Sequence, residues 1–129
     1  MFKTVIYNAD LNLEHRSWYS ELKFWEDELK TFENRLEELV LANADKEFLI
    51  KLEHFQNVFL LHGKRVGEMQ ETIKRHEMRL AGQSLMGEEN ALDMPMLRSH
   101  MTFRDSMDTQ REIYADHKKE FFRFLTEYM

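Results

Sequence analysis

Phe59-Leu60-Leu61-His62-Gly63-Lys64-Arg65-Val66-Gly67-Glu68-Met69 is the stretch on which the fold turns. Each of its two glycines costs a helix interior about 1 kcal/mol relative to alanine, so a helix that broke anywhere would break here. The apolar steps argue against a break. Phe59, His62, Val66 and Met69 follow at intervals of three, four and three residues, and that phase passes both glycines without a slip. One continuous helix is expected, and the chain then divides into three long helices. The Gly63-x-x-x-Gly67 spacing also suits the close approach of another helix.

The same phase extends in both directions. Upstream it takes in Phe48, Leu52 and Phe55, and downstream Ile73, His76 and Leu80, giving a helix over residues 46–82. A first helix over 13–42 carries the row His15, Trp18, Leu22, Trp25, Leu29, Phe32, Leu36 and Leu39, with Leu11 just upstream in the same phase. A third over 96–128 carries His100, Phe103, Met107, Gln110, Tyr114, His117, Phe121, Phe124 and Tyr128. Alternating steps of three and four residues are the signature of a left-handed bundle seam.

The punctuation agrees. Asp10 or Asn12 is expected to cap the first helix, Asn43-Ala44-Asp45 makes the first turn, and Asp45 caps the second helix. Residues 83–93 form the second connection, and Pro95 suits a first helical turn. Residues 1–10 are expected to form an N-terminal arm that packs on the bundle. The fold class is all-α: one domain over 1–129, an antiparallel up-down-up bundle of three helices about 45–55 Å long.

Composition narrows the function classes. The chain of 129 residues has 18 basic and 24 acidic side chains and a net charge of −6. The basic cluster Lys64, Arg65, Lys74, Arg75 and Arg79 is interleaved with Glu68, Glu71 and Glu77, so it reads as a solvated face, and no nucleic-acid partner is expected. With no cysteine, disulfides, thiolate zinc sites and thiol catalysis are excluded. Nowhere do 18 apolar residues run together, and the N-terminus lacks a signal-peptide pattern, so a cytoplasmic location without membrane insertion is expected.

The anomaly is histidine. Five of six, His15, His62, His76, His100 and His117, fall on the seams, and only His54 lies off them. A seam takes two positions in seven, so chance placement would put about two there. Reflecting the helices through their turns brings His15, His76 and His100 within a helical turn of one layer. It also sets His62 opposite His117, with Trp25 alongside.

Three readings follow. Imidazoles in one layer suit zinc, iron, copper or nickel, which makes His15, His76 and His100 candidate metal ligands, with Glu14 and Glu77 the nearest carboxylates. Against it, no histidine has Glu three residues before it or His, Glu or Asp four residues after it, so the helical metal motifs are missing. Methionines 86, 94, 96, 101 and 107, close to His100, add a copper variant, although flexible core filling is their commoner use. The second reading is a set of hydrogen-bonded imidazoles that fix register. The third is a core that responds to acid.

Surplus apolar side chains point elsewhere. Phe24, Leu60 and Phe122 lie outside the seams, where a lone bundle needs only one stripe per helix, and are candidate interface residues. A homodimer that forms a larger joint bundle is expected. No serine sits in a glycine-framed elbow, and Gly63-Lys64 lacks the rest of a phosphate loop. The reading is a non-enzymatic bundle acting through protein contacts, without a cofactor; the alternative is a metal-binding bundle centred on His15, His76 and His100.

Overall fold

The computed structural model describes residues 8–85 and 94–128. It consists of three α-helices: α1 over Asn8–Ala42, α2 over Lys46–Leu85 and α3 over Met94–Tyr128. Helix α2 runs without interruption through Gly63 and Gly67.

The seams are the core. All nine seam residues of α1 are buried, as are Phe48, Leu52, Phe55, Phe59, Val66, Met69, Ile73 and Leu80 of α2 and Phe103, Met107, Tyr114, Phe121 and Phe124 of α3. Burying one such side chain is worth about 1.5–3 kcal/mol, and a continuous row of them is what holds helices of this length together. Aromatics dominate the end of the bundle near the first turn. There Phe55, Phe59, Phe121 and Phe124 stack at ring separations of 4.8–6.2 Å, with Phe32 and Phe48 against them. Val58, one residue off the α2 seam, is buried too, because these large side chains widen the core.

The first turn behaves as its residues dictate. Asn43 sends its side-chain amide back to the Leu39 carbonyl at 2.9 Å, and the Asp45 carboxylate accepts from the Phe48 amide at 3.3 Å. The cap expected at Asp45 is in place.

Three boundaries differ from the sequence reading. Helix α1 begins at Asn8, so residues 8–10 belong to it and not to an arm, and Asp10 and Asn12 lie inside the helix and cannot cap it. An acidic side chain in the first turn is favourable in its own right, since it faces the positive end of the helix dipole, and that explains Asp10 equally well. Helix α2 continues through residues 83–85, and α3 starts two residues early, at Met94, with Pro95 in its first turn. The rest of the proposed arm, residues 1–7, and the remainder of the second connection, residues 86–93, lie outside the described residues.

Among the described residues Gly63 and Gly67 have no packing reason: a β-carbon added at either would meet nothing within 4 Å, so no described neighbouring helix exploits the small-residue spacing. Among the described residues no helix is long and apolar enough to cross a membrane.

Candidate functional site: two histidine layers and a charge ladder

Helices α1 and α3 run parallel, each antiparallel to α2, and a ladder of ion pairs fixes their register. Glu14 binds the Arg104 guanidinium through both carboxylate oxygens, Glu21 binds Arg111 at 2.8 Å, and Glu28 binds Lys118 at 2.8 Å. Every partner lies 90 residues further along the chain, and the rungs are seven residues apart. The carboxylates flank the α1 seam on one side and the cations flank the α3 seam, as in the charged positions beside a coiled-coil seam. The signal was present in the sequence as two heptads of like charge, Glu14, Glu21, Glu28 and Arg104, Arg111, Lys118. Only the register joins them.

The first histidine layer is where seam reflection places it. His15 lies 5.3 Å from His100 and 5.9 Å from His76 between ring centroids, with Trp18 4.8 Å from His100. The layer separates the main core from a small apolar cluster of Leu11, Leu80 and Met96 at the bundle end. His100 donates from Nε2 to Glu14 Oε1 at 2.9 Å, which couples the layer to the top rung of the ladder. Burial acts to raise the Glu14 carboxyl, but the hydrogen bonds from Arg104 and His100 outweigh it and hold it below its ordinary value. Glu77, the other carboxylate expected near the layer, is exposed.

His15 is the unusual member. It is 1% exposed, and neither of its ring nitrogens has a hydrogen-bond partner; the same is true of His100 Nδ1. A buried polar atom left in this state costs about 1–3 kcal/mol. Burial, reinforced by His100 and His76, lowers the His15 pKa to about 4. His76 is half-buried, and burial together with Arg79, His100 and Arg75 lowers it as well. The three imidazoles border a cavity of about 10 Å³, roughly the space of one water-sized group. Among the described residues no group of three or more His, Asp or Glu side chains is arranged to hold a metal ion.

In the second layer both nitrogens of His62 are bonded. The Gln110 amide donates to His62 Nδ1 at 2.9 Å, so the His62 proton sits on Nε2, which shares a 2.6 Å hydrogen bond with His117 Nδ1. Tyr114 lies against His62 and Trp25 at 5.3 Å and donates to Glu28 at 2.7 Å, tying this layer to the third rung. Burial, with His117 beside it, lowers the His62 pKa to about 4. Burial and the Glu28 hydrogen bond push the Tyr114 hydroxyl up. This arrangement favours an uncharged His62 that positions helices, since its two nitrogens meet Gln110 and His117 only at the correct register.

The candidate interface residues fall on two surfaces. Phe24 lies 6.0 Å from the Lys118 ammonium and Phe122 packs edge-on against Phe32 at 5.8 Å, both at the junction of α1 and α3. Leu60 stands on α2, 69% exposed, beside Leu61 at 67%.

Compared with known protein families, curated proteins and solved structures, the chain matches none.

Proposed function

We propose that this protein is a non-enzymatic helical bundle that works by self-association, with a second copy of the chain packed on the outer face of α2. One observation carries the reading. Leu49 and Leu60 are exposed on one side of α2 away from its buried row, Gly63 and Gly67 continue that side with open space where a β-carbon would be, and Ile50 and Leu61 are exposed on the side next to it. Leu49, Gln56, Leu60, Gly63 and Gly67 recur at spacings of seven, four, three and four residues, which makes a second seam unused among the described residues. Exposed apolar side chains and two helix-weakening glycines both cost an isolated chain something, and an opposing helix would offset both.

Sedimentation equilibrium tests this. A dimer that becomes a monomer in Leu60→Asp, with helix content unchanged, supports the proposal. A wild-type chain that stays monomeric at micromolar concentrations overturns it, and so does a dimer indifferent to Leu60→Asp. Phe24→Ser and Phe122→Ser distinguish the α1–α3 junction as the contact.

The second reading is a transition-metal site at His15, His76 and His100, favoured by the three unpartnered buried nitrogens beside one cavity. Binding would require the rings to turn toward a common point and His100 to re-aim. Zinc, iron or copper retained stoichiometrically by untagged protein, and lost in His76→Ala, is the result that establishes it. Metal-free protein with an unaltered melting temperature on zinc addition removes it.

A further inference from the structure

Along the outer side of α2 runs a charge pattern that is its own complement. Lys46, Glu53, Lys64 and Glu71 are all exposed, and none has an ion-pair partner among the described residues. Their spacings are seven, eleven and seven residues, close to two, three and two helical turns, so the four fall within about 20° of one line down the helix. The line passes beside Leu49, Leu60 and Gly67. Taken from either end the spacings are the same, while the signs reverse: plus, minus, plus, minus becomes minus, plus, minus, plus. A helix marked in this way matches a copy of itself that runs in the opposite direction.

We infer that the two copies pack α2 against α2 antiparallel, about a two-fold axis midway between residues 58 and 59, which rests on the association proposed above and adds its direction and register. Glu53 then lies level with Lys64 of the second copy, and Lys46 with Glu71 of the second copy, and the axis repeats both pairs. Because the axis lies across the helices, one flank of α2 meets the same flank of its copy, so residues on a shared line come together. A slip of seven residues one way sets Lys46 against Lys64, and the other way Glu53 against Glu71, so like charges oppose a shift in either direction. A parallel pair would hold each of the four level with its own copy. The apolar groups agree with the antiparallel register. Leu60 comes within one helical turn of its own copy, and Leu49 within one residue of level with Gly67 of the second copy, where the missing side chain leaves room for it. Exposed ion pairs add little affinity, so the leucines hold the copies together and the charges choose direction and register.

Sedimentation of charge-exchanged chains tests the pairs. Lys64→Glu should weaken the dimer about tenfold, and Glu53→Lys added to it should restore the affinity, with unchanged circular dichroism in both. Positions 53 and 64 lie about 16 Å apart along one helix, so the restoring contact can only be between copies. A double exchange that binds no more tightly than Lys64→Glu alone overturns the pairing. Nitroxide labels placed singly at the exposed positions Asn57→Cys, Glu68→Cys and Arg75→Cys read the direction with all four charges in place. At 1.5 Å per residue and about 8–10 Å between helices, labels at 57 should broaden one another's spectrum, with those at 68 about 30 Å and those at 75 about 50 Å apart. Equal distances at all three mean a parallel pair and overturn the inference while association stands. A distance at 75 shorter than at 68 overturns the register. No dipolar coupling at any of the three overturns the inference together with association through α2.

Discussion

His62 and His117 meet across α2 and α3 through a 2.6 Å bond between Nε2 and Nδ1, with Gln110 closing the other side of the His62 ring. The bond ties two helices at one register, with His62 Nε2–H donating and His117 Nδ1 accepting, and it is lost if the accepting nitrogens are protonated. Buried imidazole is therefore both a positioning device and a source of acid sensitivity.

Stability should fall in mild acid. The His62 and His15 pKa values drop from an ordinary 6.5 to about 4 on folding, so between those limits the unfolded chain binds protons that the folded chain refuses. Stability is complete above pH 6.5, is lost as pH falls toward 4, and levels off below that as far as these two groups are concerned. At 1.36 kcal/mol per unit, each contributes about 3 kcal/mol to the loss. Urea denaturation at pH 7.5 and 4.5 measures it, and His62→Gln should flatten the difference by about half.

The ion-pair ladder should behave as a register device of modest strength. Glu21 and Arg111 are both partly exposed, so the pair is worth about 0.2–1 kcal/mol. Glu21→Arg or Arg111→Glu alone places like charges together and lowers the urea midpoint. The double exchange should restore the part of the loss that belongs to the pair of positions 21 and 111, while the contact of Arg111 with Asp108 stays lost.

His15→Leu should stabilise the chain by about 1–3 kcal/mol. Leucine fills a similar volume and removes two buried nitrogens that have no partner. A higher urea midpoint at pH 7.5 with an unchanged slope is the expected result. Destabilisation would mean that these nitrogens are bonded in solution.

Gly63→Ala and Gly67→Ala should separate folding from association. Each introduces a methyl group into open space and should stabilise the isolated helix bundle by about 1 kcal/mol. If the glycine side of α2 is the contact between copies, the same methyl groups weaken the dimer. Denaturation at low protein concentration reads the first effect and sedimentation the second.

Particular residues show what was legible in the sequence and why. Phe59, His62, Val66 and Met69 keep step through two glycines because burial of a row outweighs the local cost of Gly, and periodicity reports burial. The same row led to both histidine layers, since reflection through a short turn places residues to within about one helical turn. The ladder was out of reach. Pairing Glu14 with Arg104 depends on the register between two parallel helices that no short turn connects. Asp10 and Asn12 misled because a cap residue and a first-turn acidic residue look alike without coordinates.

The most direct test of self-association through α2 uses the absence of native cysteine, which allows a single spin label at Glu53→Cys on the outer side of that helix. Helices in contact lie about 8–10 Å apart, so pulsed dipolar spectroscopy of the singly labelled chain should show strong modulation at a short interspin distance, lost in Leu60→Asp. A decay without dipolar modulation at the same concentrations would contradict the account.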